Sequence, residues 1–209
     1  MLTQEKINSN YLKFIQCLEK YGCYSEEMIA EMGEKIKYAP YSLQKQFGGA
    51  EPGGLINVTL NHLCKMAINI NNKVFGIDEK GNIMNQQLYI NPNMIMRVLL
   101  LINLAKAEVL VENPSKWHRD NLGKMYEYKS MKTKLDFSQR ALFLCQKYGI
   151  NLEEEEYEAF NALSIDEENR DVFQSPLFVL IKSVIMMTNV ALRQEELNKL
   201  AESEQTIEI

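Results

Sequence analysis

Residues 91–110 read NPNMIMRVLLLINLAKAEVL, and this stretch decides the fold. Asn91-Pro92 is a typical start of a helix, because proline in the first helical turn lacks only an N–H that would have no partner there. The strongly apolar run that follows predicts a helix at the centre of the protein. The rest of the chain is therefore expected to pack around it.

The sequence on the N-terminal side of this stretch predicts three helices. Apolar residues at helical spacing fill residues 4–21, and Gly22 is a plausible end. Ser25 is expected to cap a second helix that ends at Ala39-Pro40, and a third is expected at about residues 55–70 after a loop. Scattered apolar residues in 74–90 favour an excursion or a short hairpin around Gly81.

The C-terminal side predicts three more long helices. Residues 113–135 are expected to form a polar, aromatic loop with a short strand in the segment KMYEY, residues 124–128. Helices are expected to begin at Asp136 or Ser138, at Asn151 and at the Ser175-Pro176 cap. The acidic run 153–156 is best explained as complementing a helix N-terminus, although an acidic binding face is the alternative.

These patterns predict an all-α, single-domain bundle of about seven helices with at most a small hairpin. Residues 1–38 are expected to form a helical pair that packs on a core of residues 39–190. Residues 191–209 are expected to form the end of the last helix and a charged tail. The 209-residue chain is long enough to bury one sizeable core without metal or disulfides.

Composition narrows the classes of function. A net charge of -5 argues against non-specific nucleic-acid binding, so nucleic acid is expected only as part of a complex. Four cysteines without a CxxC pair indicate reduced thiols. The polar N-terminus and the lack of a long uncharged run predict a cytoplasmic protein with no membrane contact.

Five segments in succession resemble the HD-domain phosphohydrolases, particularly the small variants of bacteria and their viruses. Ala39-Pro40 followed by GGLINVTL at 53–60 is similar to AP…GGLLEHSL, and LLINLAK at 100–106 is similar to LLHDLCK. WHRDNLGKMYEY at 117–128 resembles the loop after the His-Asp pair. SQRALFLCQKYG at 138–149 and SPLFVLIKSVIMM at 175–187 are similar to GEKSVYLLQKYG and NPLALLLHLADML.

The resemblance implies a degenerate metal site. The positions of the family's metal-binding residues fall on six residues of this chain, of which all but the asparagine are apolar: Val58, Ile102, Asn103, Phe137, Leu163 and Ile185. Apolar side chains have no lone pair for a cation. The resemblance therefore implies no metal, no cofactor and no hydrolysis by the family mechanism, and burial of these side chains predicts a packed core in place of a wet cleft.

Other residues offer weaker candidates for a site. Asn103 is expected to be a buried amide bonded to the backbone or to a neighbouring side chain rather than a ligand-binding group. Lys106 and Lys182 could hold an anion, although lysines near helix ends are more often solvated. The aromatic residues of the long loop are equally consistent with a presented interaction surface and with packing over the core: Trp117, Tyr126 and Tyr128.

Glycine pairs and the two histidines support no established motif. The spacing of Gly48-Gly49 and Gly53-Gly54 matches neither of the phosphate-binding motifs GxxxxGK(S/T) and GxGxxG. These residues are interpreted as turn glycines, with Gly54 near a helix start. His62 lies one helical turn after Val58, but the only other histidine is His118. His62 is therefore interpreted as a surface or capping residue.

Three function hypotheses follow from the sequence. The leading one is a catalytically inactive HD-fold protein that binds a protein partner or itself, as in a scaffold encoded by a bacteriophage. The second is a metal-free sensor that binds a nucleotide without turnover. The third is a phosphohydrolase with a displaced site built from His62, Asp136 or Asp166.

Overall fold

Helix α5, Pro92–Leu101, lies at the centre of the fold and contacts helices from both halves of the chain. The computed structural model describes residues 2–74, 76, 78, 80, 82, 89–163 and 174–207. Asn91 caps α5 by accepting a hydrogen bond from the Asn93 N–H. Six of its ten residues are buried, which confirms the predicted central helix.

The N-terminal helices begin and end close to the predicted positions. Helix α1 spans Gln4–Lys20, and α2 spans Glu26–Tyr38 with Ser25 as its N-cap. Helix α3, Gly54–Val58, continues through a π-helical turn at Thr59–Leu63 into α4, Cys64–Val74. The loop between α2 and α3 contains a 3-10 turn at Lys45–Phe47.

The segment after α5 differs from the sequence prediction. A turn at Ile102 and Asn103 separates α5 from α6, Leu104–Val109. Strand β1, Leu110–Glu112, then pairs antiparallel with β2, Tyr126–Tyr128, and α7, Lys116–Leu122, lies between them. The strand in KMYEY is confirmed, but its partner was predicted as helix. The hairpin expected around Gly81 lies largely outside the described residues.

The C-terminal half contains three helices. Helix α8 spans Phe137–Lys147 and begins with a capping box of Asp136 and Gln139. Helix α9 spans Glu154–Phe160, where Glu153 and Glu156 form a second capping box. Helix α10 extends over Pro176–Ile207, so the expected charged tail is helical through Ile207.

One buried cluster joins the N-terminal helices to the rest of the protein. It includes Phe14 and Leu18 of α1, Ile36 of α2 and Leu99 of α5. The four cysteines are free thiols. Counting α3 with α4 and α5 with α6, the described residues form eight helices and a two-stranded sheet. The predicted all-α fold of about seven helices with a small hairpin is confirmed.

A half-buried arginine connects α5 to the elements beside it. Arg97 Nε donates to Glu156 Oε1 on α9 at 2.6 Å, and Nη1 donates to the carbonyl oxygens of Tyr21 and Gly22. The Glu156 side chain is fully buried, and its other oxygen accepts from the Glu153 N–H. The carboxylate run at 153–156 thus contributes one structural ion pair.

Helix α10 is the one described helix that is long and apolar enough, by length and composition, to cross a membrane. Its segment Pro176–Glu202 has a mean hydropathy of 1.5, and 44% of that window is buried inside the protein. A core helix of a soluble protein meets the same criteria, so this property assigns no location.

Candidate ligand-binding site

Three of the positions that the resemblance assigns to metal ligands lie in the core. Val58, Ile102 and Ile185 are 1%, 0% and 7% exposed, and all belong to the same buried cluster. Their side chains contact other hydrocarbon groups there. This part of the expected cleft is packed, as the sequence predicted.

The fourth core position, Asn103, behaves differently from the expectation. It is 2% exposed, and neither its Nδ2 nor its Oδ1 has a hydrogen-bond partner among the described residues. The hydrogen bond that was expected to satisfy this amide is therefore absent among the described residues. Asn103 lies in the turn between α5 and α6, and its side chain makes no hydrogen bond as the N-cap of α6. A polar group is thus buried beside the apolar core.

Phe137 and Leu163 border open space instead of filling it. Both are only partly buried, and both line a cavity of about 520 Å³ that we call the outer cavity. Both side chains pack against the buried cluster on one side and border the cavity on the other, so the packing expected at these two positions is partial. Other residues of this cavity are Val109, Tyr128, Lys129, Met131, Thr133, Lys134, Leu135, Asp136 and Arg140.

A second cavity, of about 340 Å³, adjoins the outer cavity across two shared aromatic residues. We call it the Lys106 cavity, and it is lined by Tyr41, Ser42, Leu43, Gln44, Phe47, Lys106, Leu110, Tyr128, Phe137 and Asn189. Tyr128 and Phe137 line both cavities, and their ring centres are 5.9 Å apart. The two spaces therefore share an aromatic wall.

Lys106 is the single cation among the residues that line this cavity. Its Nζ lies 3.6 Å from the centre of the Tyr41 ring. No carboxylate forms an ion pair with Lys106 in the part of the chain that the structure describes. Burial lowers the pKa of its ammonium group to about 7, because a charge removed from water without a partner favours its neutral form.

The loop after α2 holds Tyr41 in place beneath the lysine. The Tyr41 hydroxyl donates to Asn189 Oδ1 of α10 at 3.0 Å, and its N–H donates to the Gly49 carbonyl at 2.8 Å. Burial raises the pKa of the Tyr41 phenol. Ser42 Oγ lies within hydrogen-bond distance of the Gln44 and Gly48 carbonyl oxygens. The polar groups of the cavity are thus fixed to a bonded loop.

Among the other lysine and aromatic candidates from the sequence, Tyr128 lines the Lys106 cavity, whereas Lys182, Trp117 and Tyr126 do not. Lys182 lies over the Phe178 ring, 5.5 Å from its centre, and does not line the Lys106 cavity. Trp117 is 59% exposed on α7 and packs edge-on against His118. Tyr126 is half-buried, whereas Tyr128 is 59% exposed. The aromatic residues are therefore divided between surface and cavity.

The displaced metal site of the third hypothesis is not supported by the described residues. His62 is half-buried in the π-helical turn. Asp136 accepts a hydrogen bond from the Gln139 N–H at 2.7 Å as the cap of α8. Asp166 lies outside the described residues. Among those described, no group of three or more His, Cys, Asp or Glu could hold a metal ion.

Sequence reasoning identified Lys106, Tyr128 and Phe137 as candidate positions but missed the other residues around Lys106. The helical position of Lys106 near the degenerate site implied by the resemblance was the available signal. Tyr41, Ser42 and Asn189 were not identified. Tyr41 and Asn189 lie 65 and 83 positions from Lys106 along the chain, so only the tertiary fold brings them beside it.

Comparison with known proteins adds no relative: no protein-family model matches this chain, and no curated protein or solved structure does.

Proposed function

We propose that this chain is a catalytically inactive HD-like protein that binds a phosphate-bearing small molecule, of nucleotide type, in the Lys106 cavity. The observation that supports this function is a half-buried lysine without a carboxylate partner among the described residues, at the wall of a cavity and held over an aromatic ring. Of the three hypotheses from the sequence, the proposal takes the metal-free nucleotide sensor as the function of this cavity.

An anion is the ligand chemistry that the cavity favours. A bound phosphate offers Lys106 the negative charge that no described residue supplies, and hydrogen bonds to charged groups contribute about 1.5 to 3 kcal/mol. Ser42, Gln44 and Asn189 provide polar groups around the same space. The volume of about 340 Å³ lies within the range of small-molecule sites.

The aromatic wall favours a nucleotide over inorganic phosphate. Tyr128 is 59% exposed and separates the Lys106 cavity from the outer cavity together with Phe137. Stacking of a base on an aromatic ring contributes about 1 to 3 kcal/mol. Lys129 and Lys134 on the outer cavity add positive charge for a ligand with more than one phosphate.

Hydrolysis by the family mechanism is not part of the proposed function. That mechanism needs an ion that activates water and stabilises phosphoryl oxygens. Val58, Ile102 and Ile185 provide hydrocarbon at the positions where the resemblance places the ligands. We therefore expect binding without turnover.

Calorimetric titration with nucleoside mono- and diphosphates, cyclic dinucleotides and inorganic phosphate tests the proposal. We expect at least one nucleotide to bind the wild type, and Lys106→Met to weaken that binding by at least about tenfold, because the phosphate loses its cation. Lys182→Met is the matched control, since Lys182 also lies over an aromatic ring but outside the cavity. Circular dichroism verifies that both variants fold.

The pH dependence of binding provides a second readout. Free Lys106 loses its proton as the pH rises through about 7, whereas a bound phosphate raises that pKa. Binding therefore takes up a proton, and affinity should fall between pH 6.5 and 8.5. Ionisation of the nucleotide phosphate would change affinity in the opposite direction. Absence of binding by every nucleotide, or metal-dependent release of phosphate, would refute the proposed function.

A scaffold function through protein binding or self-association is the second candidate. It is favoured by the exposed apolar side chains of α10, among them Met186 at 61% and Val190 at 70% exposure. Met186 and Val190 do not line the Lys106 cavity, so association through these two side chains is compatible with ligand binding there.

A further inference from the structure

The side-chain amine of Lys106 borders a cavity and has no polar partner among the described residues. Lys106 is half-buried, and it lines the Lys106 cavity of about 340 Å³. Its Nζ lies 3.6 Å from the centre of the Tyr41 ring. Within the described part of the chain it forms neither an ion pair nor a side-chain hydrogen bond. The amine is therefore accessible to a molecule that enters the cavity.

The walls of this cavity are aromatic and carry no carboxylate. Four rings line it, from Tyr41, Phe47, Tyr128 and Phe137. The phenols of Tyr41 and Tyr128 are the other titratable groups of the lining, and the Tyr41 hydroxyl is engaged as a donor to Asn189 Oδ1 at 3.0 Å. Nothing in the described lining neutralises a charge on Lys106, so its surroundings favour an uncharged amine.

Burial provides a large fraction of this uncharged amine near neutral pH. An ordinary lysine is neutral in roughly one molecule in 2,500 at pH 7. Burial lowers the pKa of Lys106 to about 7, so about half of the molecules carry the free amine there. The Tyr41 ring attracts the ammonium form and opposes this effect, but the loss of hydration is the larger of the two influences.

We propose that Lys106 is a covalent attachment site, at which its amine forms a Schiff base with a small aromatic aldehyde. A lysine amine in a desolvated pocket is a nucleophile towards carbonyl groups. The Nζ lone pair attacks the carbonyl carbon and forms the C–N bond, while one amine proton passes to the carbonyl oxygen. The resulting carbinolamine loses the second amine proton and its hydroxyl group as water, which leaves the imine. The step consumes no oxidant or reductant.

The aromatic wall selects the class of aldehyde. The ring centres of Tyr128 and Phe137 are 5.9 Å apart, and both rings face the cavity. Contacts between aromatic rings are favourable beyond the area that they bury. An imine of an aromatic aldehyde is also conjugated with its ring, which stabilises it against hydrolysis. A neutral aromatic aldehyde therefore fits this lining better than an aliphatic one.

This attachment goes beyond the proposed function, because it needs the neutral amine instead of the ammonium group that would bind a phosphate. The two ligands would occupy the same cavity, so a nucleotide that binds there should slow the reaction of Lys106 with an aldehyde.

Labelling with benzaldehyde and sodium borohydride tests the proposal, because borohydride reduces the imine to a stable secondary amine that peptide mass spectrometry can locate. At pH 7.5, about half a unit above the pKa of Lys106, we expect this residue to react at least about tenfold faster than Lys182. The larger neutral fraction outweighs the lower intrinsic nucleophilicity that accompanies a lower pKa. Lys182 is the matched internal control, since it is half-buried over the Phe178 ring but outside the cavity.

Unfolding the protein in guanidinium chloride should abolish the preference for Lys106, because the cavity creates it. The proposal is overturned if Lys106 in the folded protein reacts no faster than Lys182. It is also overturned if the preference persists in the unfolded chain, since the local sequence would then be the cause.

Butanal tests the aromatic class. The ratio of the benzaldehyde rate to the butanal rate should be at least about threefold higher at Lys106 than at Lys182, because only Lys106 has the aromatic wall. Tyr128→Leu should reduce this difference, and Tyr128 is 59% exposed, so the change spares the core. Equal ratios at the two lysines would overturn the assignment of an aromatic ligand.

Failure of this inference is distinguishable from failure of the proposed function. Selective labelling of Lys106 in a protein that binds no nucleotide would refute the proposed function alone. Nucleotide binding that depends on Lys106, without selective labelling, would overturn the covalent attachment alone.

Discussion

Two buried asparagines show how differently the same side chain is accommodated in this protein. Asn71 is fully buried, its Nδ2 donates to the Ile90 carbonyl at 2.8 Å, and its Oδ1 accepts from the Ile90 N–H at 3.1 Å. Asn103 is 2% exposed and has no partner for either atom among the described residues. A side-chain amide that forms hydrogen bonds with the backbone contributes to stability. A buried amide without hydrogen bonds lowers the free energy of unfolding by about 1 to 3 kcal/mol.

Substitution of each asparagine by leucine, of similar volume, is expected to have opposite effects. Asn103→Leu should raise the free energy of unfolding by about 1 to 3 kcal/mol, since it removes the unsatisfied amide. Asn71→Leu should lower it by a similar amount, because it leaves the Ile90 N–H and carbonyl without partners. Urea denaturation followed by circular dichroism measures both. A large loss of stability in Asn103→Leu would mean that its amide has an essential role.

At the scale of elements, the loop between α2 and α3 depends on a close approach of two backbone segments. A Cβ atom on Gly54 would overlap the carbonyl oxygen of Gly49. That same Gly49 carbonyl accepts from the Tyr41 N–H at 2.8 Å. The start of α3 and the position of Tyr41 in the Lys106 cavity are therefore coupled through one backbone group.

Gly54→Ala is expected to lower the free energy of unfolding by more than about 3 kcal/mol, because the backbone must move to accept the methyl group. Gly149→Ala is the matched control: its φ is +68°, but a Cβ there would meet no atom within 4 Å. Its cost should be about 1 to 2 kcal/mol, from conformation alone. Thermal denaturation compares the two variants, and equal losses would contradict the close approach.

The elements also show where sequence patterns sufficed. Caps at Ser25, Asn91 and Ser175 were identified, and Asp136 was one of two starts expected for its helix, because a cap is a contact between residues close in sequence. The turn at Ile102 was missed, since nothing local in the apolar run signals it. Strand β1 was missed for a related reason: Leu110–Glu112 is extended because it pairs with β2, which is distant in sequence.

At the scale of the whole molecule, the helical pair of residues 1–38 shares its core with the rest of the chain. We therefore expect the pair and the core to unfold together. Cys23 lies in the pair and Cys145 on α8, and both thiols are at most 1% exposed. Pulsed thiol labelling across a urea gradient, read by mass spectrometry, should give coincident transitions at the two cysteines. Earlier labelling of Cys23 would show that the pair opens by itself.

The candidate site was only partly predictable. Lys106 was identified as a possible anion contact from its helical position near the degenerate site that the resemblance implies, and the buried state of Val58, Ile102 and Ile185 followed from their hydrocarbon side chains. The sequence predicted Lys182 equally as a possible anion contact, yet Lys182 lies outside the Lys106 cavity. Only the packing of the elements decides which lysine faces Tyr41.

The amino-acid sequence by itself determined the helical content and most helix ends, because each depends on periodicity or on contacts within a few residues. The tertiary structure alone decided the break after α5, the Lys106 cavity and which apolar side chains of α10 stay exposed. These features depend on which faces of distant helices meet, and an apolar residue has the same hydrophobicity whether its face is covered or left to solvent.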